Sequence, residues 1–94
     1  ASEEGNYETG LRSGVWKIWY RPGALHAEME YREDLLNGNY TIFYENNVIK
    51  RSGKYLNGEK NGIWRDYYES GELILTTLYK DGKEISWNGY KIDY

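Results

Sequence analysis

Few side chains in this chain could do covalent or metal chemistry, and their spacing limits what that chemistry could be. His26 is the one histidine, and there is no cysteine. Thiolate nucleophiles, disulfides and zinc–sulfur sites are therefore excluded. Glu28, Glu30, Glu33 and Asp34 form an acidic cluster. They lack the spaced oxygen ligands and the glycine of a calcium loop, so the cluster reads as a solvated patch that could steer a basic partner. Lys50, Arg51 and Lys54 form a small basic cluster. Three charges offer modest attraction for a phosphate or a lipid headgroup. No phosphate-binding glycine loop, dinucleotide fingerprint, nucleophile elbow or HExxH metal motif occurs. A lone histidine in a variable position reads as a solvated strand residue rather than as a base or ligand. The residues indicate no enzyme, no cofactor, no metal and no small-molecule substrate.

What the chain has in excess is aromatic rings. Eleven Tyr, four Trp and one Phe make 17% of its 94 residues, accompanied by eleven Gly and one Pro. Twelve basic residues against fifteen acidic ones give a net charge of −3, which argues against a nucleic-acid partner. No apolar run approaches the roughly 18 residues of a membrane-spanning helix. The sequence carries no signal peptide, and a cytoplasmic setting is favoured without being fixed, since a leader removed by processing would leave no trace.

The elements that must position these rings follow from self-similarity, which has a period of 24 residues. Full copies occupy 13–36, 37–60 and 61–84, with a partial copy at 7–12 and a capping partial copy at 85–94. Gly14, Gly38 and Gly62 share a column, followed by Trp16, Tyr40 and Trp64, then Trp19, Phe43 and Tyr67, then Tyr20, Tyr44 and Tyr68. Each copy reads as a β-hairpin. Residues 15–20 and 25–31 form the strands of the first, around Pro22-Gly23 in a type II turn, with Asn46-Asn47 and Ser70-Gly71 as its equivalents. Between copies, Asn57-Gly58 and Asp81-Gly82 are strong two-residue hairpin turns, and Asp34 takes the glycine position less comfortably. The expected fold is all-β: an elongated single-sheet antiparallel meander of 24-residue β-hairpin repeats, with seven or eight strands. The stretch 1–6 is polar and reads as frayed. Trp87, Tyr90 and Tyr94 read as a cap on the last hairpin.

Side chains alternate faces along a strand. One face collects Trp16, Ile18, Tyr20, Leu25, Ala27, Met29 and Tyr31, and in the third copy Trp64, Tyr68, Leu73, Leu75 and Tyr79. This is the structural stripe that stacked copies bury. Gly14, Gly38 and Gly62 lie inside a strand, where glycine marks a bulge or a close approach. A neighbouring ring packed across the backbone is the simplest account.

Trp19, Phe43 and Tyr67 stand an odd number of residues from the structural aromatics, so they face the other way. Either Lys and Arg stems or sheet curvature close this row, or it stays open as a ladder of anchors for a partner. Leu35 and Leu36 sit at an inter-copy turn where other copies place charges. They form a local cluster or a docking point.

Residues 62–73 (GIWRDYYESGEL), 79–83 (YKDGK) and 14–25 (GVWKIWYRPGAL) carry the pattern G-x-W-x-x-[WY]-Y-x-x-G-x-L and a Tyr-x-[DN]-G turn. This pattern resembles the variant form of the MORN repeat. The middle copy departs from it with Tyr40 for Trp and Asn47 for Gly. The chain is similar to the bacterial proteins grouped as YwqK-like antitoxins. That resemblance implies a non-enzymatic antitoxin or immunity-like protein that binds and neutralises a toxin or effector. Other MORN-repeat proteins imply the alternative, a membrane-lipid-associated or scaffolding module.

Overall fold

A computed structural model of the chain describes residues 2–88 and 90–91. Nine strands follow one another in chain order: β1 (Ser2–Glu8), β2 (Leu11–Arg21), β3 (Ala24–Arg32), β4 (Leu35–Phe43), β5 (Ile49–Leu56), β6 (Glu59–Tyr67), β7 (Leu73–Lys80), β8 (Lys83–Trp87) and β9 (Tyr90–Lys91). They pair in that same order into one antiparallel sheet, and no helix occurs among the described residues. The expected meander is the observed one, with a two-residue strand added at its end. The extents of 41 × 33 × 13 Å are those of a single layer. Nine strands at about 4.8 Å spacing account for the long dimension.

Two kinds of connection alternate. Thr9-Gly10, Glu33-Asp34, Asn57-Gly58 and Asp81-Gly82 each place both turn residues at positive φ, between 49° and 86°. That is the primed turn whose twist matches the strands it joins. Asp34 holds φ 69° without glycine's freedom, and its carboxylate accepts hydrogen bonds from the backbone N–H and the Nε of Arg12 at 3.2 and 2.6 Å.

The second kind of connection differs in part from expectation. Gly23 has the positive φ (82°) expected after Pro22. In the next two copies the loop is one residue longer. Asn47 N–H donates to Tyr44 O and Tyr44 N–H to Val48 O, and the same pair of bonds joins Gly71, Tyr68 and Glu72. The turn begins at the tyrosine, and its positive-φ residue comes last. This three-residue form keeps the right-handed strand twist.

Residues 2–6 are not frayed. Ser2, Glu3 and Glu4 lie opposite Trp19, Ile18 and Lys17 as the edge strand β1. The physical reason lies beneath Trp16, whose indole rests on Gly5: a Cβ on Gly5 would overlap that ring. The Trp16 Nε1–H also donates to Asn6 O at 3.1 Å. The repeat therefore reaches back before residue 7, and the first tryptophan needs that extension as its floor.

The core is a row running across the strands rather than a space between layers. Gly5, Trp16, Met29, Tyr40, Gly53, Trp64 and Thr77 follow one another from β1 to β7. Trp64 is 2% exposed and Trp16 7%, values unusual for a sheet with no second layer. Trp64 achieves this by lying on Gly53 among the rings of Tyr40, Tyr55 and Tyr79, whose centroids are 5.1–6.2 Å away. Lys60 covers it, with Nζ 5.1 Å from the ring. Its Nε1–H donates to Lys54 O at 3.1 Å, the same bond that Trp16 makes one double period earlier.

The glycines expected to carry a ring are thus not the ones that do. Gly14 and Gly62 have open space where a Cβ would stand, and φ values of 72° and 80°. They make the backbone bulges that set three residues against one beside Gly5 and Gly53. At Gly38 the space is taken by the Glu30 carboxylate, which accepts the Asn39 N–H at 3.0 Å.

Tyr68 and Leu73, expected in the buried stripe, are exposed. Copy one's stripe does better: Trp16, Ala27 and Met29 are buried, and Ile18 and Tyr31 pack against them. Copy three has only the short β8 and β9 beyond it. Of the expected cap, Trp87 ends β8 and remains substantially exposed. Tyr94 and the side chain of Tyr90 lie outside the described residues.

Candidate functional site

The corners opposite the primed turns hold the second aromatic row. Trp19 lies opposite Leu25, Phe43 opposite Ile49 and Tyr67 opposite Leu73. Each pair falls at a register shift, so the alternation of faces breaks there in all three copies. The aromatics stand on alternate strands, about 10 Å apart by strand spacing. All three are half-buried, while Ile49 and Leu73 are exposed. The band is therefore neither the fully open ladder nor a closed core. Each ring has an aliphatic neighbour across the ladder and leaves part of itself to solvent.

Neighbouring tyrosines fix the spacing of this band. Tyr20 donates its hydroxyl hydrogen bond to Phe43 O at 2.9 Å, and Tyr44 donates to Tyr67 O at 2.6 Å. Asn46 adds a third tie, from its side-chain amide to Glu69 O at 3.1 Å. Copies one and two thus each clamp the carbonyl of the next copy's anchor. His26 does not stand free in solvent, because its ring stacks on Tyr20 at 4.3 Å. Beside Trp19 the surface forms a shallow hollow with Ser2, Glu4, Pro22 and Gly23.

The remaining candidates are not brought together into one site. Leu36 is half-buried and packs against the Trp16 cluster, and its carbonyl accepts the Gly58 N–H at 2.8 Å. That answers the local-contact reading for Leu36. Leu35 is exposed, with its methyl near Gly58. The acidic residues divide among local tasks: Glu28 faces Lys17 at 4.0 Å, Glu30 fills the Gly38 bulge, and Asp34 pairs with Arg12. Glu33 is exposed in its turn. The hydrogen bond from Arg12 holds the Asp34 carboxyl below its usual range and raises the guanidinium in return. Arg12 also lies over the Tyr31 ring at 4.3 Å.

The basic cluster is partly neutralised. Arg51 pairs with Asp66, and Lys50 lies 5.5 Å from the centre of the Tyr44 ring. Burial raises the phenols of Tyr55 and Tyr79 above their ordinary value, as suits rings placed around Trp64. Among the described residues, no three His, Asp or Glu side chains converge as a cation site.

Sequence reasoning missed Gly5 and Gly53, the floors of the buried tryptophans. A signal was present: both fall in one 24-residue column, shared with Met29 and Thr77, a non-turn position in the middle of a strand. No curated protein matches the chain. Residues 36–57 and 60–81 each match the family described as MORN repeat variant, so two adjacent repeats of this meander are of that type.

Proposed function

We propose that the chain is a non-enzymatic protein-binding module whose docking surface is the band formed by Trp19, Phe43 and Tyr67 with their aliphatic neighbours. One observation carries this reading. The band spans three copies and remains half open in each, whereas Trp16 and Trp64 of the other row are sealed by the sheet's own glycines and tyrosines. Large rings held at fixed spacing lose little conformational entropy on binding, and they dominate interface energetics where they are covered. Clamped carbonyls beneath Phe43 and Tyr67 supply that pre-organisation.

The narrower form of the proposal takes the partner to be a toxin or effector, as the resemblance to YwqK-like antitoxins implies. The net charge of −3 would favour a basic target surface. The lipid alternative has less support, since Arg51 pairs with Asp66 and Lys50 lies over the Tyr44 ring, which leaves Lys54 alone of the three without a charge or ring partner among the described residues. The test is capture of partners by the wild-type chain and by Trp19→Ala/Tyr67→Ala, with stoichiometry checked by size exclusion. The expected result is one protein at fixed stoichiometry for the wild type and its loss in a variant that still folds. Undiminished capture by the folded double variant sinks the assignment of the band.

A further inference from the structure

The buried tryptophans and the glycines beneath them use one face of the sheet, and no other element packs on the reverse face among the described residues. Directly opposed residues project from the same side of a sheet. On the reverse face one cross-strand row runs Lys17, Glu28, Thr41, Ser52, Arg65 and Thr76. Two residues along the strands, Val15 lies beside Glu30, Asn39 beside Lys54 and Ile63 beside Leu78. Nearest the primed turns, Arg32 lies beside Leu35 and Leu56 beside Glu59. Glu28, Thr41, Ser52 and Arg65 line one shallow hollow, which places them on a common surface.

This face is open in two respects. Five of its aliphatic side chains, Val15, Leu35, Leu56, Ile63 and Leu78, are 37–53% exposed. Arg32, Glu59 and Arg65 are also exposed, and none has an ion-pair partner among the described residues. Apolar area of this kind on a single face marks an interaction surface.

The order of the side chains identifies the occupant. Outward from the line between β4 and β5, Thr41 and Ser52 come first, then Glu28 on β3 and Arg65 on β6. At the primed turns Leu35 and Leu56 come first, then Arg32 on β3 and Glu59 on β6. Between those levels Asn39 matches Lys54, and Val15 on β2 matches Leu78 on β7. Positions equally far from the line thus carry opposite charges, like hydrophobes or groups that can share a hydrogen bond. The charges left over, Lys17 and Glu30, are engaged within the chain. Lys17 faces Glu28 at 4.0 Å, and Glu30 is drawn down over Gly38, where it accepts the Asn39 N–H.

We infer that the reverse face is the interface of a two-fold symmetric dimer of this chain, with the symmetry axis running along the strands between β4 and β5. The complement this face requires is its own pattern in reversed strand order, which only a second copy presents as a whole. Rotation about that axis lays β3 over the partner's β6 and β4 over its β5. Glu28 then meets Arg65, Arg32 meets Glu59, and Leu35 meets Leu56, each contact occurring twice as an isologous interface demands. Two twisted sheets stack about 10 Å apart with strand directions within about 30°. The sheet spans 41 × 33 Å, enough for the ~800 Å² that each partner buries in a standard interface. The inference uses a different surface from the aromatic band and does not rest on the band's proposed role.

The experiment follows the mass of the chain by light scattering and sedimentation from ~1 µM to ~1 mM. Expected is a monomer–dimer equilibrium that weakens as salt rises. Arg65→Glu alone and Glu28→Arg alone should each weaken the dimer by about tenfold or more, because symmetry applies each charge reversal twice. An equimolar mixture of the two variants should recover the dimer, since one chain then offers acid at both positions and the other base at both. Arg32→Glu and Glu59→Arg form a second set, at exposed positions with no ion pair to lose, and should behave in the same way if Glu28→Arg disturbs Lys17. A chain that stays monomeric up to ~1 mM overturns the proposal. So does a dimer insensitive to both sets, or one that the mixtures fail to recover. Loss of the dimer in folded Trp19→Ala/Tyr67→Ala moves the contact to the aromatic band and overturns it as well. Partner capture by the band is read separately, from the capture experiment on that double variant.

Discussion

The two aromatic rows lie three residues apart in every copy, and they differ in what lies beneath and across from them. Trp16 and Trp64 rest on glycines, donate their indole N–H to a main-chain carbonyl, and are ringed by tyrosines. Trp19, Phe43 and Tyr67 rest on no glycine and face one aliphatic side chain each. A single-layer sheet can therefore bury a large ring, but only where the backbone under it gives up its own side chain. Where it does not, the ring stays half open and becomes available to a partner. The middle copy shows the same rule from the other side. Tyr40 lies between Met29 and Gly53 and packs less deeply than either tryptophan.

The contrast breaks first if the rows cost the same to truncate. Trp64→Ala should lose about 3–5 kcal/mol in urea unfolding, the range for a fully buried aromatic. Tyr67→Ala should lose about 1 kcal/mol, as for a half-exposed residue away from the core. Equal losses would mean that the second row is structural too.

The floor can be tested separately from the ring. Gly53→Ala places a methyl within the Trp64 indole and should cost about 2–3 kcal/mol through overpacking. Gly62→Ala meets open space and pays only for its positive φ, about 1 kcal/mol. The reverse order in chemical denaturation would show that the bulge, not the glycine floor, holds the tryptophan.

The smallest effect concerns the primed turn that lacks glycine. Arg12 lowers the folded-state pKa of the Asp34 carboxyl, so its contribution to stability is present above the ordinary value of about 4 and is lost as pH falls through the folded value. Both groups are solvent-exposed, so the shift is small. Wild type should melt slightly above Asp34→Asn at neutral pH, and the two melting temperatures should converge as the pH falls below the ordinary carboxylate range. A difference that persists in acid would assign the effect to backbone conformation instead of the ion pair.

The sequence by itself determined the meander, its period, the primed turns at Asn57-Gly58 and Asp81-Gly82, and the separation of two aromatic rows. These are local properties. Turn residues set φ, alternation sets the face, and a repeat imposes the same local solution in every copy. Tertiary structure alone decided two things: which glycines carry rings and how open the second row is. Each depends on register between strands. The two-residue register shift at Gly14 or Gly62 sets the tryptophan over Gly5 or Gly53. The same register puts the carbonyls of Phe43 and Tyr67 within reach of the preceding copy's tyrosine. Cross-strand offsets are set by the packing of all neighbours at once, so one strand's residues do not encode them.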